Sequence, residues 1–239
     1  MAQIIFAILA GVIPAIFWLW FWLREDETRP EPKPLIGKIF LFGCLAIIPA
    51  YFLEKSLGAS SSLAFLDNLF WMVILLAVIE ESLKYSAVYV GALKTRFYDE
   101  PVDAMIYMVT AALGFAAVEN TLFLLSDFTN SGNILESALI GNFRFLGATL
   151  VHVIASAIIG SVIGLTFKQW WLKKLAYFTA GFLLAVGLHA LFNYFIIKSG
   201  SDGGQLFKIF GLLWLAGVVI IFLFEKVKQP ITQKNISSI

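Results

Sequence analysis

Apolar runs long enough to cross a lipid bilayer, about 20 residues each, recur along this chain and constrain its fold more than any other feature. They lie at 4–23, 35–57, 63–93, 101–125, 147–167, 175–197 and 205–225 of the 239 residues. Charged residues make up only 14% of the chain, whereas a soluble domain carries about 25%. The sequence therefore predicts an all-α, polytopic transmembrane helix bundle with about seven spans in a single integral membrane domain.

The segment 134–146 does not fit this pattern, because Glu136 and Arg144 interrupt its apolar character. We interpret it as an interfacial or partly inserted helix and as a candidate gate. With seven spans and an external N-terminus, twelve of the 17 Lys and Arg residues lie inside and three outside, with Lys84 and Arg144 set aside. The positive-inside rule therefore predicts an external N-terminus and a cytoplasmic C-terminus.

Charge and cysteine content exclude several classes of function. The formal net charge of +1 offers no basic face for nucleic acid. Cys44 is the only cysteine, so the chain has no disulfide framework and no thiolate metal cluster. The remaining candidate partners are the lipid bilayer and molecules that bind to the membrane spans.

Ionisable and other polar residues inside four of the predicted spans are the most informative exception to the apolar pattern. A charged side chain near the bilayer centre costs at least ~2.5–3.5 kcal/mol on insertion scales, so such residues indicate function by default. Residues three or four positions apart share a helix face. This spacing groups Glu80 and Glu81 with Lys84 on one helix, and His189 with Asn193 on another. The set is Glu80, Glu81, Lys84, Glu119, Asn120, His152, His189 and Asn193.

The depth of these residues predicts that they meet. Glu80, Glu119, His152 and His189 lie 13 to 18 residues from the predicted cytoplasmic ends of their spans. That spread corresponds to roughly 7–8 Å at 1.5 Å per residue, which is small beside a core about 30 Å thick. We therefore expect one polar layer in the outer half of the membrane, with Lys84 as counter-ion to the two adjacent glutamates.

Two forms of water activation fit such a layer. A buried glutamate could take a proton from water while His189 and Asn193 stabilise the oxyanion, and no cofactor is then required. Alternatively, His152, His189, Glu119 and one of Glu80 or Glu81 could bind Zn²⁺, although the soluble-zincin spacing H-E-x-x-H is absent. A proton- or cation-coupled transporter uses similar groups, but the chain shows no inverted repeat. A non-catalytic membrane scaffold is the third alternative.

The ordered set of motifs resembles the PrsW family of intramembrane proteases and is distantly similar to the CAAX prenyl endopeptidases. The resemblance covers about residues 63–197, with 4–57 as preceding spans and 205–225 as a final span. In the CAAX-type relatives, histidine stands where this chain has Glu119. The motifs are Glu80-Glu81-x-x-Lys84, Glu100-Pro101-Val102-Asp103, Tyr107, Gly114-Phe115-Ala116-Ala117-Val118-Glu119-Asn120, His152 and His189-x-x-x-Asn193.

The resemblance implies cleavage of a single-span membrane protein, typically an anti-sigma factor, near its extracytoplasmic side in a bacterial plasma membrane. It implies that Glu80 or Glu81 is the general base, with a slight preference for Glu80 because Lys84 is its i+4 partner. Glu119 and His152 would position water or a metal ion. His189 and Asn193 would form the oxyanion site. Structural roles remain for Lys84, Asn120 and Asp103.

Overall fold

A computed structural model describes residues 1–24, 29–58, 68–131, 134–199 and 203–228, and this part of the chain is helical without a strand. A π-helix, Tyr89–Leu93, directly follows the third α-helix. The predicted fold class, a membrane helix bundle, is confirmed. The α-helices are α1 (Ala2–Arg24), α2 (Lys33–Gly58), α3 (Leu69–Val88), α4 (Asp103–Ser131), α5 (Ile134–Leu165), α6 (Trp171–Ser199) and α7 (Gly203–Lys228).

Six of these helices are long and apolar enough to cross a membrane. The exception is α3, which is 20 residues long but carries Glu80, Glu81 and Lys84. Large apolar side chains are exposed along α1, α2, α6 and α7, including Phe17 and Leu183, which are 60% and 64% exposed. Exposure of such apolar surfaces to water is unfavourable, whereas their contact with lipid is favourable. The protein is therefore an integral membrane protein.

Helix α4 occupies the centre of the bundle. Its residues from Asp103 to Ala117 are all buried, and it packs against α1, α2 and α5. Helix α3 lies against α2 and α6, and α7 lies against α5 and α6. The buried polar residues of α3, α4, α5 and α6, among them Glu81, His152 and His189, therefore lie in the interior that these four helices share, away from lipid.

Two segments differ from the sequence prediction. The third span, expected at 63–93, forms α3 from Leu69 after Asn68, whose side chain accepts a hydrogen bond from the Phe70 N–H at 2.9 Å, as an N-cap does; residues 63–67 lie outside the described part. The segment 134–146 is not a separate interfacial helix but the first turns of α5, a continuous helix of 32 residues. Its side chains, Glu136 and Arg144 among them, also lie outside the described part.

Two glycines let α2 and α4 approach closely enough to fix the position of the central helix. A Cβ atom at Gly43 would lie 2.1 Å from the carbonyl oxygen of Ala111, and one at Gly114 would lie 2.1 Å from that of Phe40. Backbone atoms cannot move aside as a flexible side chain can. Only glycine therefore fits at these two crossing points.

We expect Gly43→Ala to destabilise the protein, because the added methyl group forces α2 away from α4. Overpacking of this kind costs about 1–3 kcal/mol, which should lower the midpoint of thermal unfolding in detergent by several degrees. The matched control is Gly37→Ala on the same helix, where a Cβ atom would meet nothing within 4 Å. Equal midpoints for the two variants would contradict this account of the α2–α4 contact.

Candidate active site

The structure brings the predicted polar layer together around the carboxylate of Glu80. Its Oε2 atom lies 3.8 Å from His152 Nδ1 and 3.7 Å from His189 Nε2. Both histidines are 1% exposed, so neither faces lipid, and the two rings stand perpendicular with centroids 4.8 Å apart. The sequence predicted, from the depth of these residues alone, that polar groups of four helices meet. Their side-chain contacts confirm it.

Lys84 lies among these groups as a fully buried cation. Its Nζ donates to Glu81 Oε1 at 2.8 Å, to Glu80 Oε2 at 3.5 Å and to His152 Nδ1 at 2.7 Å. The ammonium also lies 4.4 Å from the centre of the Phe115 ring, which favours a cation. Lys84 therefore contacts both glutamates, as predicted, but it is closer to Glu81 than to its i+4 partner Glu80.

Each histidine uses its second ring nitrogen to contact another glutamate. His152 Nε2 lies 2.5 Å from Glu119 Oε2, and His189 Nδ1 lies 2.9 Å from Glu81 Oε1. An ionised carboxylate only accepts hydrogen bonds, so each of these nitrogens donates its proton to a glutamate. The other nitrogens, His152 Nδ1 and His189 Nε2, face Glu80, and His152 Nδ1 is also the atom that Lys84 contacts.

This arrangement fits a divalent metal ion. One donor atom from each of Glu80, His152 and His189 lies within 4.8 Å of the other two. Two imidazoles and one carboxylate are a known ligand set of catalytic zinc. Carboxylates that contact the outer ring nitrogen, as Glu81 and Glu119 do here, are known to orient histidines that bind a metal. Lys84 shares the lone pair of His152 Nδ1, so an ion at that atom would compete with the lysine.

The charge balance of the cluster also favours a dication. Glu80, Glu81 and Glu119 contribute three negative charges against the single positive charge of Lys84, which leaves −2 when both imidazoles are neutral. A buried, uncompensated charge of this size is strongly unfavourable. A divalent cation between Glu80 and the imidazoles would neutralise it.

Sequence reasoning missed three residues that belong to this environment. Ser156, one turn after His152, donates from Oγ to Glu81 Oε2 at 3.1 Å, and its i+4 spacing could have indicated it. Phe115 packs against His152, with ring centroids 5.5 Å apart. Glu54, in the last turns of α2, lies within electrostatic range of Glu80 and Glu119; it looked like an ordinary helix-end residue in the sequence.

The remaining predicted residues lie at the edge of the cluster or away from it. Asn120 is buried and donates from Nδ2 to Thr149 Oγ1 at 2.9 Å, which ties α4 to α5 beside Glu119. Asn193 is half-buried and makes no hydrogen bond within the described part of the chain. Asp103 lies 16 residues before Glu119, roughly 24 Å away along α4 at 1.5 Å per residue. The sequence prediction of an oxyanion role for His189 and Asn193 stays a prediction.

Asp103 instead helps to hold two loops together at the opposite end of the bundle. Its Oδ2 accepts hydrogen bonds from the N–H groups of Asp99 and Glu100 at 3.0 and 2.7 Å. The Tyr107 hydroxyl donates to the carbonyl of Phe97 at 2.9 Å and also contacts the carboxyl of Glu31. The loop before α2 is thereby fixed to the loop before α4, and an ion pair of 2.8 Å between Arg29 and Glu100 adds to this contact.

The stability of this loop contact should depend on pH. Burial raises the pKa of Glu31 above its ordinary value of 4.5, repulsion from Asp99 and Glu100 adds to the effect, and hydrogen bonds with Tyr107 and Asp103 oppose it. A raised pKa in the folded state means that the stability is fully present below pH 4.5 and is lost as the pH rises through the folded-state pKa. Glu31→Gln, which mimics the protonated acid, should make this slope shallower in thermal unfolding from pH 4.5 to 8. Parallel slopes for the variant and the wild type would contradict the assignment.

Comparison with known proteins identifies the family. The profile of the "PrsW family intramembrane metalloprotease" matches residues 31–224. The chain is 30% identical over 223 residues to Protease PrsW of Geobacillus kaustophilus (strain HTA426), covering 93% of this chain and 91% of that protein. It is 24% identical over 220 residues to Protease PrsW of Bacillus subtilis (strain 168), covering 89% and 93%. No solved structure matches the chain.

The match is consistent with the geometry. It extends from Glu31, at the loop contact before α2, to the last turns of α7, and it includes every member of the buried cluster. A relative from Clostridioides difficile (strain 630), also named Protease PrsW, is 26% identical over 192 residues, which are 79% of this chain and 78% of that protein. The chain belongs to the PrsW family of intramembrane proteases.

Proposed function

We propose that this protein hydrolyses a peptide bond of a single-span membrane protein, of the anti-sigma-factor kind, close to the extracytoplasmic side of a bacterial plasma membrane. The observation that carries the proposal is the buried contact set in which Glu80 faces the inner ring nitrogens of His152 and His189. Gaps of 3.7–3.8 Å are too long for direct hydrogen bonds, which leaves a place for a bridging water or ion.

Glu80, His152 and His189 would hold a Zn²⁺-class ion, which supplies a Lewis acid and lowers the pKa of a bound water to about 7. Glu81 and Glu119 accept from the outer ring nitrogens and so direct the inner nitrogens towards Glu80, where an ion would displace Lys84 from His152. Ser156 and Lys84 fix Glu81 from two further directions. The chain thus supplies a rigid donor set as well as the groups that orient it.

Glu119 is the group that we assign to proton transfer. Its side chain is 39% exposed, whereas those of Glu80 and Glu81 are 8% and 0% exposed. Glu81 already has contacts to Lys84, His189 and Ser156, and Glu80 is one of the metal donors. Glu119 can therefore take the proton of the attacking water and pass it to the leaving amine. The role of base, expected for Glu80 or Glu81, moves to Glu119 in this proposal.

Asn193 is the group that we assign to the carbonyl oxygen of the substrate. It lies one turn after His189, on the same helix face, and has no hydrogen bond within the described residues. An amide N–H aimed at the developing oxyanion stabilises the tetrahedral intermediate. His189 is less suited to this role, because its proton is directed at Glu81 and its other nitrogen faces Glu80.

The side of cleavage follows from the topology that the positive-inside rule predicts. His189 lies 10 residues from the end of α6 at Ser199 but 18 residues from its start at Trp171, roughly 15 against 27 Å at 1.5 Å per residue. Because the start of α6 lies at the basic end of the bundle, the site is nearer the extracytoplasmic face. The N-terminus is then outside and the C-terminus cytoplasmic.

The test is a single-span reporter with a different tag on each side of its span, co-expressed with the protein. We expect a product cut near the extracytoplasmic end of the span, located by mass spectrometry of the released fragment. Cleavage only in soluble loops, or pH-driven ion uptake into proteoliposomes without any cleavage, would reject the proposal. The second result would favour the transporter alternative.

A further inference from the structure

A groove towards the basic end of the bundle, which begins at Tyr85 next to Lys84, has the features of a ligand site. It has a volume of about 440 Å³ and lies between the end of α3, the end of α5 and the start of α6. Small-molecule sites are commonly about 300–1,000 Å³ and mostly apolar. Its lining includes Tyr85, Tyr89, Tyr98, Phe178 and Leu175. None of the lining residues is acidic.

The backbone beside the groove is unusual. Tyr89 and Leu93, which line it, are the first and last residues of the π-helix that follows α3. Single π-helical turns are rare and occur frequently at functional sites. This turn displaces the chain from regular α-helical spacing at the point where the groove opens. The groove therefore coincides with a specific irregularity of the helix backbone.

The groove contains hydroxyl groups that the protein does not use. Tyr85 and Tyr98 are half-buried, and their hydroxyls make no hydrogen bond within the part of the chain that the structure describes. The ring of Tyr85 packs on Phe178, with centroids 4.6 Å apart, so its position is fixed. Both tyrosines line the groove, so a ligand with acceptor oxygens could accept a hydrogen bond from their hydroxyls.

Two lysines give the mouth of the groove a positive charge. Lys174 lines the groove itself, and Lys94 holds its ammonium 4.4 Å from the centre of the Tyr89 ring. The first turn of α6 at the same place contains no acidic residue. Basic pockets between membrane helices suit anionic headgroups, while an apolar interior suits an acyl chain.

We propose that this groove binds one anionic phospholipid, with its phosphate between Lys94 and Lys174 and an acyl chain along Tyr85 and Phe178. A lipid is favoured over a soluble anion because the lining is mostly aromatic and aliphatic and lies at the end of helices that face the bilayer. The tyrosine hydroxyls then donate to the ester or phosphate oxygens. The proposal does not rest on proteolytic activity.

The experiment is native mass spectrometry of the purified full chain titrated with phosphatidylglycerol or phosphatidylcholine. We expect the first phosphatidylglycerol molecule to bind at least about fivefold more tightly than phosphatidylcholine, and the double variant Lys94→Gln/Lys174→Gln to lose about tenfold of that affinity. The matched control is Lys198→Gln/Lys208→Gln at the other end of the bundle, where Lys198 lies over Tyr194 as Lys94 lies over Tyr89. The control should keep wild-type affinity.

Three results would overturn the proposal. Equal affinity for the two lipids would contradict the proposed contact with the anionic headgroup. Equal losses of affinity in the two double variants would contradict the proposed position of the site. Displacement of the lipid by inorganic phosphate alone would show a soluble-anion site. As a second measurement, Tyr85→Phe/Tyr98→Phe keeps the rings and removes only the hydroxyls. It should lower the preference for phosphatidylglycerol about threefold, and an unchanged preference would exclude the hydroxyl contacts.

Discussion

Glu80→Gln is expected to reduce reporter cleavage at least about 1,000-fold while leaving the helical fold intact. The substitution keeps the size of the side chain but removes the charge that faces His152 Nδ1 and His189 Nε2. Loss of one group from a catalytic set that acts as a unit commonly costs 10³-fold or more. The measurement is the rate of product formation in proteoliposomes at matched protein amounts.

The matched control is Glu225→Gln, because Glu225 is an exposed glutamate near the end of α7, away from the cluster. It should cleave at the wild-type rate. Glu80→Gln must also show wild-type helicity by circular dichroism, so that a folding defect is not mistaken for a catalytic one. Cleavage at the wild-type rate by a folded Glu80→Gln variant would show that Glu80 takes no part in the reaction.

Purified protein is expected to bind about one Zn²⁺ per chain, and His189→Ala to weaken this binding by more than about 100-fold. Loss of an outer-shell partner typically costs 10–100-fold in metal affinity, so loss of a direct donor should cost more. The readout is metal content and calorimetric affinity, independent of activity. Chelation should stop cleavage, and added Zn²⁺ should restore it.

Glu119→Gln separates metal binding from proton transfer. Glu119 contacts the outer nitrogen of His152, not the nitrogen that faces Glu80. The variant should therefore keep a Zn²⁺ ion with affinity lowered by about 10–100-fold, yet it should lose cleavage even at saturating metal. Full cleavage in protein freed of metal would contradict the metal reading and return the role of base to Glu80.

The convergence of the cluster was predictable from sequence because it follows from two regular quantities. Helical rise converts residue counts into depth, and the cost of a buried charge forces polar groups in separate spans to meet. These rules placed Glu80, Glu119, His152 and His189 in one layer. They also placed Lys84 beside both glutamates.

The finer arrangement depends on side-chain directions that spacing does not reveal. Helical spacing made Lys84 the counter-ion of both glutamates without ranking them, and the structure places its ammonium closer to Glu81 and beside His152 Nδ1. Glu54 could not be found because its helix carries no other polar group of the cluster. The continuity of α5 through 134–146 was missed because two charged residues resembled an interfacial segment.

The most direct test of the central claim, that the cluster activates water against a peptide bond within the membrane, is isotope incorporation. Purified wild-type protein and a single-span reporter are reconstituted together in H₂¹⁸O, and the new carboxyl terminus is analysed by mass spectrometry. One ¹⁸O atom in each new carboxyl terminus, and none in the fragment with the new amino terminus, is the predicted result, at a bond in the outer part of the reporter span. Intact reporter that stays bound to the folded, metal-loaded protein would contradict the account.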